Sequence, residues 1–261
     1  MNQARPDPHR RYDTTPRSDP RTRYAIYFAP RPETPLWRFG SSVLGYDSAR
    51  GEDVPRPDLG AITPERLAEL TRRPRIYGFH ATIKPPIRLA EGCDEAGLIA
   101  ALDAFCADCA PVTLAPLVIA ELGADGDDTA FLALVESGPE QTPALRDLEA
   151  RAVIAFEPFR APLTAEEYAR RNPQSLPPRK RALLDQYGYP AVLDAFTFHM
   201  TLSGRVSASE RAMLKTGLDA LRRAMLPDEA AVIDHLALCR QIPGEPFRIL
   251  HRAGFGKARL A

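Results

Sequence analysis

The sequence predicts an α+β fold in which a βαββ unit occurs twice, giving two lobes whose antiparallel sheets face a central cleft. Three observations lead there. Gly78-Phe-His-Ala-Thr-Ile-Lys84 in the first half and Thr197-Phe-His-Met-Thr-Leu-Ser203 in the second spell nearly the same segment. Each alternates: His80, Thr82 and Lys84 oppose Phe79, Ala81 and Ile83, while His199, Thr201 and Ser203 oppose Phe198, Met200 and Leu202. Successive side chains on a strand point to opposite faces, so each segment is expected to carry one apolar and one chemically active face. Each is then followed by the same predicted order of helix, strand, strand.

The elements follow from local signals. Residues 1–22 are rich in Pro, Arg and Asp, almost lack large apolar side chains, and are expected to be a disordered tail. Asp7, Asp13 and Asp19 argue against a targeting peptide there. The first lobe is assigned to residues 23–157. It opens with an aromatic, β-branched strand at Tyr24–Ala29, followed by a Pro/Gly-punctuated stretch holding Trp37. Thr63 and Pro64 start a short helix, as cap and first turn. After the His80 strand, ended by Pro85-Pro86, a helix is expected over 94–109 with Leu98, Ile99, Leu102 and Phe105 on one side. Strands over 112–122 and 129–135 join through the turn-like 123–128, and a helix over 142–156 closes this half. The second lobe, 194–261, holds the His199 strand and a helix capped at Ser207 with Glu210 at the capping-box position. Strands over 230–241 and 247–255 complete it. The two lobes are expected to form one domain.

Residues 158–193 separate the halves and carry Arg160, Arg170, Arg171, Arg179, Lys180 and Arg181. This stretch is either a solvated, partly helical insertion or a lid that brings guanidinium groups to an anionic substrate.

Bulk properties narrow the function. The 261 residues carry 34 basic and 34 acidic side chains, so no overall field favours nucleic acid or a membrane surface. No apolar run approaches the ~20 residues of a membrane span, and the N-terminus lacks an apolar signal core, so a cytoplasmic location is expected. Four cysteines without a disulfide-like framework suit a reducing compartment. Cys106 and Cys109 match C-x-x-C, but no second ligand pair accompanies them, and buried helical thiols are expected.

Two matched His-x-Thr segments suggest one site with two imidazoles and two hydroxyls. Histidine titrates near ~6.5, so one ring can serve as neutral general base and the other as protonated general acid. In-line displacement at phosphorus needs such groups on opposite sides of the phosphorus. Thr82 and Thr201 hydroxyls can donate to the non-bridging oxygens, and Lys84 can add positive charge. No metal-ligand spacing accompanies them, so no metal or other cofactor is expected. His235 and His251 are expected to be satisfied strand residues. A nucleophile elbow and a phosphate-binding G-x-x-x-x-G-K-[ST] loop are both absent from the sequence.

The paired segments resemble the two-histidine (2H) phosphoesterase superfamily, which includes RNA 2′-5′ ligase-like proteins and cyclic nucleotide phosphodiesterases. The resemblance is closest to a branch of phosphonate-metabolism proteins found beside bacterial carbon–phosphorus lyase genes. It runs through Arg23–Pro30, Leu36–Gly40, Tyr77–Pro85, Pro158–Pro162, Gly188–Pro190, Phe198–Gly204 and Ile233–Gln241, covering essentially everything after the tail. It implies a bilobal duplicated fold, catalysis by His80 and His199, and phosphate contacts from Thr82 and Thr201. The expected substrate is a small cyclic phosphodiester or related phosphate ester. The alternatives are processing of RNA 2′,3′-cyclic or 2′-5′ ends, against which the scattered arginines count, and non-catalytic binding of a phosphorylated ligand.

Overall fold

Every strand pairing in the computed structural model is antiparallel, and eight of the twelve strands it describes join one sheet. Residues 19–123, 128–226 and 230–256 are described. The chain runs β1 (Arg23–Phe28), α1 (Pro35–Leu44), β2 (Tyr46–Asp47), β3 (Glu52–Asp53), α2 (Pro64–Arg75), β4 (Ala81–Ile87), α3 (Glu95–Ala107) and β5 (Val112–Thr113). It continues through β6 (Leu117–Leu122), β7 (Thr129–Glu136), α4 (Pro143–Ala155), α5 (Ala165–Ala169) and α6 (Pro178–Tyr187). It ends with β8 (Met200–Thr201), β9 (Val206–Ser207), α7 (Ala208–Met225), β10 (Val232–Ile233), β11 (His235–Gln241) and β12 (Arg248–Gly254). The fold is thus mixed, with seven α-helices among the described residues and an antiparallel sheet.

The sheet order is β12-β11-β1-β4-β8-β7-β6, with β9 on β7. The strand–helix–strand–strand order expected after each histidine segment recurs in outline, with short β5 and β10 added before the hairpins and β9 inserted between β8 and α7. The halves do not, however, hold separate sheets. The β6–β7 hairpin of the first half lies beside β8 of the second, and the β11–β12 hairpin lies beside β1, next to β4. The short β5 and β10 pair with each other off the main sheet. Two separate sheets facing each other are therefore replaced by one sheet, with β4 and β8 adjacent at its middle.

Several elements differ in detail from expectation. The stretch around Trp37 is a helix, α1: Thr34 Oγ1 accepts from the Trp37 N–H at 3.2 Å and Pro35 takes the first turn, the same start as at Thr63-Pro64. Its Gly40 lies against the Phe79 ring, which a Cβ would meet at 2.1 Å, so a side chain there would displace the residue next to His80. Pro116 breaks the 112–122 run into β5 and β6, and Asp234 separates β10 from β11. Ser207 stands at the N-terminus of α7 but makes no side-chain cap, being paired with Thr129 in β9. Glu210 instead holds Arg66 at 2.5 and 2.9 Å, tying α7 to α2. A capping box does form at Thr164 and Glu167, opening α5. The expected tail lies outside the described residues up to 18, as does most of the 123–128 turn.

The main core lies between the sheet and its helices, with Ile26, Phe28, Phe79, Ile83, Leu132, Leu134, Met200 and Leu236 from strands and their approaches. Helices contribute Phe39, Leu67, Leu98, Leu102, Leu148, Leu214 and Leu218, and Phe156 joins them from just past the end of α4. Cys106 and Cys109 are buried as expected, with the Cys106 thiol pushed up to about 12 by desolvation. His235 and His251 are satisfied strand residues, bonded to Asp234 and the Ala29 carbonyl and to Asp103. A smaller cluster of Ala25, Tyr27, Ala29, Trp37, Ala237, Cys239 and Phe247 covers part of the other sheet face. The 158–193 stretch docks against α4 through Val153, Leu183 and Val192. It is also fastened by Arg88 to Glu167 and by Arg179 to Asp194. No described helix is long and apolar enough to cross a membrane.

Candidate functional site

The adjacency of β4 and β8 brings the two His-x-Thr segments side by side. Ala81 pairs with Met200, both buried on the core face. Extending that antiparallel pairing by one residue each way sets His80 across from Thr201 and Thr82 across from His199. The two imidazoles are then diagonal neighbours on the other face, and such positions lie about 7–8 Å apart, their Cβ atoms somewhat closer. Tyr27 pairs with Thr82 and Ala133 with Thr201, which places a residue of β1 and one of β7 on either flank.

Both rings are held in the same way. His80 Nδ1 donates to the Gly78 carbonyl at 2.9 Å, and His199 Nδ1 donates to the Thr197 carbonyl at 2.8 Å. Each bond fixes the tautomer that leaves Nε2 with a lone pair. The Thr82 hydroxyl donates to His80 Nε2 at 3.2 Å. Gly78 sits at φ +71°, and a Cβ there would meet Ser48 at 2.7 Å, so the turn that presents its carbonyl requires glycine. His80 is further stacked on Tyr27, with ring centroids 3.6 Å apart and planes 20° apart, whereas the Phe131 ring lies 5.9 Å from His199 and is tilted.

Electrostatics differ from the simple expectation of one neutral and one charged ring. Burial lowers the His80 pKa to about 4, opposed by its bond to Gly78 and reinforced by the neighbouring His199. Burial also lowers His199, opposed by the Thr197 carbonyl. Both rings are therefore neutral near pH 7, and an anion between them would favour protonation.

Strict alternation breaks just after each threonine. The β1–β4 register shifts between Tyr27↔Thr82 and Ile26↔Lys84, so a bulge turns Lys84 to the core face with Ile26. Its Nζ, with the side chain 1% exposed, donates to the Val153 carbonyl at 2.9 Å and to Glu157 at 2.6 Å. Lys84 thus fastens α4 to β4 and does not share the face of His80 and Thr82. In the second segment, Leu202 and Ser203 both donate backbone N–H groups to the Leu132 carbonyl. Ser203 turns inward, its Oγ accepting from the Leu132 N–H at 3.0 Å.

The inserted arginines are divided. Arg160 is bonded to Glu157 and the Gln186 carbonyl, Arg170 is exposed at the end of α5, and Arg171 lies 4.8 Å over the Tyr189 ring. All three line a cleft of about 980 Å³ in which seven arginines face two acids, Glu166 and Glu167. The cleft also takes in Arg23, Arg73 and Tyr77. The Tyr77 ring, which lines this cleft, lies 6.5 Å from that of His80, while the histidines and the two threonines are not among the residues lining the cleft. Among the described residues no three His, Cys, Asp or Glu side chains converge as a metal-ligand group. Tyr27 and Tyr77, which pack near His80, and Tyr189 and Arg23, which line the cleft, were not singled out from sequence. Their only signal was to lie in the blocks that flank the histidine motifs.

The chain is 37% identical over 234 residues to ribose 1,5-bisphosphate phosphokinase PhnN of Janthinobacterium sp. (strain Marseille), which covers 88% of this chain and 50% of that protein. It is 31% identical over 188 residues to the PhnN of Laribacter hongkongensis (strain HLHK9), covering 70% of this chain and 40% of that one. The chain therefore spans about half the length, or less, of these curated relatives. The profile described as "Protein of unknown function (DUF1045)" matches residues 82–248, a stretch that holds Thr82, His199 and Thr201. The chain belongs to the DUF1045 family.

Proposed function

We propose that this protein is a two-histidine phosphoesterase that opens a small cyclic phosphodiester by metal-independent general acid–base catalysis, in phosphonate metabolism. The observation that carries the proposal is the Ala81↔Met200 pairing, beside which two imidazoles, each bonded through Nδ1 to the carbonyl two residues before it, lie near two threonines. A phosphate bound there draws a proton onto one ring. The neutral Nε2 of the other takes a proton from water as its oxygen bonds to phosphorus, and the imidazolium gives its proton to the ring oxygen that leaves. Thr82 and Thr201 stabilise the non-bridging oxygens. The recurrence of strand, helix, strand, strand supports a duplicated origin. Arg160, Arg170 and Arg171, with the other arginines of the cleft, favour a compact anion over a long chain.

The relatives' names place them in ribose bisphosphate chemistry. Their phosphokinase activity is assigned to the portion this chain does not cover, because its sequence contains no G-x-x-x-x-G-K-[ST] loop. The test is a panel of ribose 1,2-cyclic, 2′,3′-cyclic and 3′,5′-cyclic phosphates beside an oligoribonucleotide with a 2′,3′-cyclic end, each with and without chelator. The expected result is metal-independent opening of a small cyclic ester. Much higher kcat/KM on the oligonucleotide would assign the protein to RNA end processing, and turnover lost to chelator and restored by a divalent ion would overturn the metal-free mechanism.

A further inference from the structure

His80 is stacked on Tyr27 as well as bonded to the Gly78 carbonyl; among the described residues His199 has no stacked ring, only the tilted Phe131 at 5.9 Å, so its bond to Thr197 carries more of its placement. Its Nδ1–H donates to the Thr197 carbonyl. That carbonyl belongs to the peptide whose N–H is Phe198, and the Phe198 N–H donates to Gln141 Oε1. Gln141 Nε2 donates in turn to the Phe196 carbonyl at 2.9 Å, so one side-chain amide grips the backbone on both sides of Thr197. Gln141 is itself fixed by its neighbour, since Thr142 bonds the buried Glu136 through both its N–H and its hydroxyl, at 3.0 and 2.6 Å. Upstream, the Leu193 N–H donates to Glu149 on α4, holding Leu193 at φ +55°.

We infer that Gln141 is a positioning residue for His199, setting its tautomer and aim through the Thr197–Phe198 peptide. Hydrogen bonds in a chain polarise one another, so an acceptor on the Phe198 N–H makes the Thr197 oxygen a stronger acceptor for Nδ1–H. That favours a proton on Nδ1 and leaves Nε2 free for chemistry. His80 is the titratable group coupled to His199, and it is bonded elsewhere. The significance for catalysis rests on the phosphoesterase proposal; the hydrogen-bond relay does not.

The test uses long-range 15N–1H spectra of the imidazoles across pH in wild type, Gln141→Ala and Gln141→Glu, with kcat and KM on the best cyclic phosphate. Glutamate keeps the acceptor toward Phe198, so His199 should remain the Nδ1–H tautomer and titrate higher. Alanine should mix the tautomers, lower the His199 titration and reduce kcat about 10- to 100-fold, the usual loss on removing an outer support. KM and the His80 signals should stay put. A folded Gln141→Ala with unchanged His199 tautomer and titration would overturn the inference, as would a Gln141→Glu whose His199 leaves the Nδ1–H tautomer. If alanine fails to fold, Gln141→Asn, whose reach is one methylene shorter, replaces it. The spectra need no turnover, so failure of the proposed reaction would leave this inference separately decided.

Discussion

Burial opposes charge on both imidazoles, and this has a consequence for stability as well as for chemistry. The unfolded chain protonates His80 near ~6.5, while the folded chain resists until about 4. The unfolded state therefore binds more protons in this window, so the contribution is whole above about 6.5 and is lost as pH falls toward 4. Glu149 has the opposite sign. Its buried carboxyl is pushed from 4.5 up to about 7 by desolvation, opposed by the Leu193 N–H and Lys84, so stability falls as pH rises through that range. Denaturant unfolding at pH 4.5 and 7.5 should show a smaller acid loss in His80→Ala than in wild type, and a larger one in Glu149→Gln. Equal pH dependence in all three would contradict these shifts. At this scale the His-x-Thr residues were legible because identical spacing in two places survives any register. Lys84 and Ser203 were not, because a bulge is decided by the neighbouring strand and reverses the face of the residues just beyond it.

Helix starts were legible at Thr63-Pro64 and Thr142-Pro143, but the same signal at Thr34-Pro35 was missed among the surrounding Pro and Gly residues, and it opens α1. Its Gly40 reads locally as a helix breaker, yet its lack of a Cβ is what lets the Phe79 ring close against α1. Gly40→Ala should therefore destabilise the protein by about 1–3 kcal/mol through overpacking, although alanine is the better helix former. Chemical denaturation measures this, and a stabilised variant would show that Phe79 relaxes without cost. A fall in activity beyond the stability loss is also expected, since Phe79 directly precedes His80. Ser207 with Glu210 spelled a capping box that tertiary pairing overrode: Arg66 offers Glu210 a bidentate partner, and β9 takes Ser207.

For the whole molecule, the order of elements was readable but the order of strands was not. A repeat written along the chain gives no sign that each hairpin crosses to the other half, because that choice is made by long-range pairing. The result places β4 beside β8, and the shared face of His80, Thr82, His199 and Thr201 follows from it. The basic cleft beyond Tyr77 is also a product of assembly, drawing Arg23 and Arg73 toward Arg171 from distant parts of the chain. Arg171→Ala should raise KM for a phosphorylated cyclic ester several-fold with little change in kcat, and an unchanged KM would remove that residue from substrate binding. The most direct measurement compares turnover of a cyclic phosphodiester by wild type, His80→Ala and His199→Ala, each shown to be folded. Each substitution is expected to cost about 10²–10⁴ in kcat, the range for losing one general acid or base. Full turnover in either variant would contradict a shared two-imidazole site.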